Sequence, residues 1–161
     1  MFFTKRKQPG SQAKQLVKVL VIPCQKLLLA VPITEAVKVV RIPEIYRSGQ
    51  RALGLANFDD KEVIVIDLHQ KIYNLPNPEV EQYLIVIQPN KGCLFGIPSS
   101  SLPTLANLPE QEMKELPRDY RDRDALGIAS HIVTLSQSEQ SQTILLLDIL
   151  RIFETFQPQA N

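Results

Sequence analysis

Two aspartates stand where chemistry could begin. Asp67 ends the run "VIVIDL" and Asp148 ends "ILLLDI", so each carboxylate closes a stiff apolar stretch. Paired carboxylates from two halves of a β-rich chain suit the shared-proton dyad of an aspartic protease. That chemistry takes small neighbours after each acid, in the pattern D-T/S-G, whereas Leu68-His69 and Ile149-Leu150 follow here. Bulky residues at those positions remove the dyad. A structural role accounts for both acids. The segments after them, "LHQKIYNL" and "ILRIFETF", repeat apolar residues every three or four positions, the period of a short helix. An aspartate at a strand-to-helix junction accepts hydrogen bonds from the unpaired amides of the first turn. Asp67 and Asp148 are therefore read as N-caps.

The other reactive side chains assemble no motif. His69 and His131 lack the H-x-x-x-H spacing of a metal site and are expected on the surface or in loops. Cys24 and Cys93 lack C-x-x-C spacing and are read as buried thiols in a reducing compartment. A Cys–His pair formed only in the fold stays open at this level. The triplet Ser99 to Ser101 follows Pro98 without a G-x-S-x-G frame and reads as a turn. Six glycines provide neither a P-loop nor G-x-G-x-x-G, which removes the usual phosphate cradle. "RDYRDRD" from Arg118 to Asp124 alternates in sign, as a solvated loop does, with a partner-facing decoration as the other reading. No cofactor, no metal and no catalytic residue is expected.

Whatever this chain does must then come from its surfaces, and the elements that build them are legible. A net charge of +1 with scattered basic residues gives no reason for a nucleic-acid partner. Residues 1–15 are basic without a following apolar segment; they are expected to be a flexible tail, neither secretory signal nor membrane anchor, on a cytoplasmic protein. Short segments rich in Val, Ile and Leu alternate with Pro, Gly and Asn, a strand pattern. Strands are expected near 17–22, 27–33, 36–42, 52–57 and 62–67, then near 83–88, 93–98, 103–107, 126–134 and 142–148.

Those two sets are copies. At an offset of 66 residues, Pro23, Pro32 and Pro43 fall on Pro89, Pro98 and Pro109, and Val19/Ile85, Val21/Ile87, Leu29/Phe95 and Val31/Ile97 pair hydrophobe with hydrophobe. "GLAN" at Gly54 resembles "GIAS" at Gly127, so the second copy carries extra loop residues. Five short strands close most simply into a small barrel. The fold class is mainly β, with two pseudo-symmetric five-stranded SH3-like barrels within residues 16–157. The first barrel is placed at about 16–76 and the second at about 80–157.

With Gly54, Asn57, the "VIVIDL" strand, "LPEQEMKELP", Gly127-Ile128-Ala129 and "ILLLDI" in this order, the chain resembles the CheW-like adaptor family of bacterial chemotaxis from about Val17 to Phe156. The resemblance implies a non-catalytic scaffold that couples chemoreceptor signalling tips to the regulatory domain of a CheA-type histidine kinase. It assigns Gly54, Asp67, Gly127 and Asp148 structural roles. It also places Arg41, Asn57, Phe58 and Asp59 at a receptor groove. Family members carry Leu-Arg-Gly where this chain has Phe58-Asp59-Asp60, and a Glu where it has Arg41. Arg41 and Asp59 are thus expected either to form the family's cross-strand ion pair with its ends exchanged, altering the field a receptor meets, or to stand as independent solvated charges. Two alternatives remain: a member that binds the kinase but no receptor or serves a pilus-based pathway, and, outside the family, a small β-barrel enzyme or ligand binder.

Overall fold

The computed structural model describes residues 15–47, 52–90, 92–117, 119, 125–137 and 140–156. The expected basic tail and most of the "RDYRDRD" loop lie outside them. The strands are β1 (Leu16–Cys24), β2 (Leu27–Pro32), β3 (Ala36–Arg41), β4 (Tyr46–Arg47), β5 (Leu53–Phe58), β6 (Lys61–Ile66), β7 (Tyr83–Asn90), β8 (Cys93–Ser99), β9 (Thr104–Pro109), β10 (Lys114–Glu115), β11 (Ala129–Gln137) and β12 (Gln140–Leu147). Helix α1 (Leu68–Tyr73) follows β6 and α2 (Ile149–Phe156) follows β12. All ten expected strands are present, with ends shifted by a few residues. β4 and β10 are additional; two residues leave no apolar run to read.

The strands form two six-stranded sheets, ordered β10-β11-β12-β2-β1-β9 and β3-β7-β8-β6-β5-β4. Contiguous halves at 16–76 and 80–157 therefore do not describe the sheets. Each half sends its first hairpin into the other: β2 pairs in parallel with β12, and β8 pairs in parallel with β6. The repeat makes this possible, because both first hairpins present the same apolar alternation and either could lie beside either last strand.

Each sheet has its two edge strands consecutive in the chain. β3 and β4 are joined by residues 42–45, and β9 and β10 by residues 110–113, a span that includes a 3₁₀ turn at Glu110–Glu112. Lys38 Nζ on β3 stands 5.9 Å from the Phe58 ring centroid on β5, so that sheet curls until separated strands meet. Val19, Ala30, Leu108, Val133, Ile144 and Leu146 fill one concave face. Ala56, Val63, Val65, Leu84, Val86 and Leu94 fill the other.

The largest core lies between the sheets. Alternate residues on their outer faces meet there, Leu29, Val31 and Leu145 from one sheet and Ile66, Ile85, Ile87, Phe95 and Ile97 from the other. Leu68 of α1 and Ile149, Ile152 and Phe153 of α2 complete it. Tyr73 Oη donates to the Cys24 carbonyl at 2.8 Å, tying α1 to the end of β1.

Gly54 shows why one small residue is required. It pairs with Arg47 across β4–β5, and an added Cβ would lie 2.9 Å from Ile45 Cγ2 and 3.1 Å from the Tyr46 carbonyl oxygen. Gly54→Ala should cost about 1–3 kcal/mol by overpacking against backbone, read as a lower denaturant midpoint at unchanged slope.

Candidate functional site

Both repeated aspartates cap helices. Asp67 Oδ1 accepts from the Gln70 amide at 3.0 Å, and Asp148 Oδ1 from the Arg151 amide at 3.1 Å. Their own amides donate to Ala52 and Ile128 carbonyls at 2.7 and 2.8 Å. That pair of bonds makes Ala52 the counterpart of Ile128, so Gly54 matches Ser130 rather than Gly127. Gly127 lies in a 3₁₀ turn (Ala125–Ile128), which the extra loop of the second half feeds.

Histidine and cysteine placement departs from expectation. His69 is buried in α1, not on the surface; its Nδ1 lies 2.9 Å from the Leu75 carbonyl oxygen and its ring 4.8 Å from that of Tyr73. An i, i+4 aromatic contact against an apolar core outweighs the polarity of the ring. His131 is half-buried on β11 beside Ser130 Oγ at 2.8 Å. Cys24 is buried and Cys93 only partly so, since Cys93 opens β8 at a hairpin. Burial, and then the charge of Asp67, push the Cys24 thiol up to about 11, so it stays protonated and non-nucleophilic at neutral pH. Ser99 Oγ donates to the Ser101 carbonyl at 2.6 Å, closing the expected serine turn.

The four residues expected at a receptor groove are distributed over two strands and a turn. Asn57 and Phe58 end β5, and Asp59-Asp60 form the two-residue turn to β6, with φ of 55° and 63°. Both turn residues occupy left-handed backbone, the requirement of a type I′ hairpin, which aspartate tolerates less well than glycine. Asp60→Gly should raise stability by about 0.5–1 kcal/mol, measured as the shift in chemical unfolding midpoint.

Arg41 lies on β3, with three strands between it and β5 in the sheet order. It faces outward in register with Tyr83, its guanidinium 5.6 Å from that ring's centroid. The expected Arg41–Asp59 ion pair is absent; the approach to the β5 end comes instead from Lys38, whose side chain leaves the strand on the other face. The ion pairs formed nearby belong to Arg47, 2.6 Å from Glu81 and 4.0 Å from Asp67. Those three residues are distant in sequence and share no motif, so nothing in the chain announced them. Arg47 ties β4 to the first helix cap and to the segment joining the two halves.

Two exposed apolar surfaces complete the picture. On β1 and β9, Leu20 is opposite Leu105, with Leu16 further along the same face and Ile33 bonded through its amide to the Lys18 carbonyl at 3.0 Å. Leu16 and Leu105 are more than half exposed. This strip continues the shared core into solvent, because Leu20 already packs against it. On the other sheet, Tyr46 and Leu55 are exposed and directly opposite each other on β4 and β5. Between the sheets lies a cavity of about 170 Å³ whose polar lining includes Asp67, His69, Glu79, Glu81 and Ser100. Among the described residues no three His, Cys, Asp or Glu side chains gather as metal ligands, and no helix is long and apolar enough to cross a membrane.

A family model for the CheW-like domain matches residues 18–157. Among solved structures, the crystal structure of the scaffolding protein TtCheW from Thermoanaerobacter tengcongensis is similar, with a TM-score of 0.67 and 16% identity over 84% of this chain and 86% of that one. A search of curated proteins finds no match.

Proposed function

The chain belongs to the CheW-like domain family of non-catalytic scaffold proteins, and we propose that it is a cytoplasmic adaptor coupling chemoreceptor signalling tips to the regulatory domain of a CheA-type histidine kinase. The observation that carries this reading is the family match across residues 18–157, which takes in both sheets. The chemistry of the surface supports it. Asp67 and Asp148 are occupied as caps and the Cys24 thiol is protonated, whereas apolar side chains stand in solvent on two sheet faces. The strip of Leu16, Leu20, Ile33 and Leu105 suits the apolar stripe of a helix laid across it. Arg41, stacked on Tyr83, sets the charge that such a helix meets at the far end of β3. Asn57, Phe58 and Asp59 form a separate contact at the hairpin tip, and the Tyr46–Leu55 pair beside it offers a surface to a kinase domain.

Co-sedimentation of the purified chain with receptor-tip hairpins and the kinase regulatory domain tests the assignment. Recovery with both is expected. Recovery with neither, accompanied by a ligand-dependent thermal shift, would overturn it. Recovery with the kinase alone would support a receptor-blind member, the reading that Arg41 in the family's glutamate position favours.

A further inference from the structure

The cavity between the sheets meets a buried group that the fold leaves unsatisfied. His69 is only 7% exposed, and its Nδ1 lies 2.9 Å from the Leu75 carbonyl oxygen. A carbonyl only accepts, so Nδ1 carries the ring proton and the neutral imidazole has its lone pair at Nε2. Among the described residues, Nε2 is the one buried side-chain nitrogen or oxygen without a hydrogen-bond partner. An acceptor left unpaired in the interior is costly, and native chains hold few of them. His69 lines the cavity, whereas Leu75 and Tyr73, which take Nδ1 and one flank of the ring, do not. The Nε2 edge is therefore the part of the ring turned to the cavity.

The walls select what this acceptor receives. Asp67, Glu79 and Glu81 line the same space, and among the described residues Arg47 is the one cation paired with any of them. Glu79 stands exposed at the edge, where the Ser100 hydroxyl donates to its Oε1 at 2.8 Å. Three carboxylates against one guanidinium leave the cavity negative, which repels anions. Among the described residues no three His, Cys, Asp or Glu side chains gather as metal ligands, so recognition falls to hydrogen bonds and charge. A water needs about 10–15 Å³, and the cavity's volume of about 170 Å³ admits a molecule of several heavy atoms. Ile22, Leu29, Leu68 and Ile97 supply an apolar floor for a short carbon stem. We propose that the cavity binds a small organic cation with N–H donors, a guanidinium or primary ammonium compound, which donates to His69 Nε2 and lies against the carboxylates of Glu79 and Glu81. Such a ligand touches both sheets and the connection between the halves.

A long-range proton–nitrogen NMR titration of the full chain reads the contact, with methylguanidinium and propylammonium chlorides as the probes. Ligands of about five non-hydrogen atoms are expected to bind with a Kd of about 1 mM. The His69 Nε2 resonance should move saturably, as an acceptor gaining a donor does, while the ring nitrogens of His131 stay in place. Tetramethylammonium has the charge without the N–H donors and should bind about tenfold more weakly. Glu79→Gln keeps a partner for Ser100 and removes one charge, and should raise the Kd several-fold. His69→Phe keeps a ring and removes the acceptor, and should raise the Kd about tenfold, read from the Ser100 and Glu81 amides. If that variant does not fold, Glu79→Gln decides alone. No saturable movement of Nε2 with either probe, equal affinity for tetramethylammonium, or an unchanged Kd in a folded variant overturns the inference. Neither receptor nor kinase enters the titration, so the site stands or falls separately from the adaptor assignment.

Discussion

Severed between Pro78 and Glu79, the chain should give two fragments that are each unfolded alone and that fold together when mixed. The cut falls in an exposed connection, yet it separates β6 from β8 and β2 from β12, the two parallel pairs on which the sheets close. The fragment ending at Pro78 keeps β1 to β6, but its β3 loses β7 and its β1 loses β9. Because the halves are repeats, a fragment could in principle close its own first hairpin onto its own last strand. Such a closed half would still expose its share of the core between the sheets: Leu29, Val31, Ile66 and Leu68 on one side, Ile85, Phe95, Leu145 and Ile152 on the other. At about 1.5–3 kcal/mol for each such side chain, the four named on each side amount to about 6–12 kcal/mol, comparable with the whole net stability of about 5–15 kcal/mol that a native domain retains. Circular dichroism and heteronuclear NMR of the separate and mixed fragments measure this directly. A cooperative thermal transition in either fragment alone would refute obligatory exchange of the hairpins.

The second large effect concerns the centre of the same core. Phe95 is fully buried on β8, with its ring centroid 5.3 Å from that of Phe153 on α2. Phe95→Ala should destabilise the chain by about 3–5 kcal/mol, the range for deleting a buried aromatic ring. Since native domains hold only about 5–15 kcal/mol, this is a substantial fraction, visible as a fall in Tm of roughly 10 °C. Phe95→Leu should cost clearly less, because it leaves a smaller cavity. A Tm within two or so degrees of the parent for the alanine variant would place Phe95 outside any shared core. The position also bears on function: α2 seats on Phe95 and joins the outer faces of both sheets, so loosening it should weaken partner capture and stability together.

How much of this was legible varies with the range of the interaction that decides each feature. Asp67 and Asp148 were readable as caps because capping is local: the carboxylate reaches an amide three residues on, and the helical period after each acid is visible in the chain. The duplication was readable because both copies keep their prolines and alternating hydrophobes. The β5–β6 hairpin was legible in the apolar runs near 52–57 and 62–67, which leave only a short connection between them. The proposed Arg41–Asp59 bridge failed because strand alternation sends Arg41 outward over Tyr83, while Lys38, on the other face of β3, is the residue that approaches the end of β5. The Arg47 contacts escaped notice because Asp67 and Glu81 reach it only after β4, itself two residues long, has been laid beside Gly54.

By itself the sequence determined that the chain is a duplicated set of short strands, each half ending in a capped helix, within a family whose members act as scaffolds. Those features follow from periodicity, turn chemistry and contacts a few residues apart. The tertiary structure alone decided which hairpin joins which sheet, that His69 is buried, and where Leu16, Leu20, Ile33 and Leu105 gather into one exposed strip. In a repeat, the two candidate partners for each strand edge present nearly the same apolar pattern and the same free backbone groups. The choice between them is made by the core that only one arrangement can bury between the sheets.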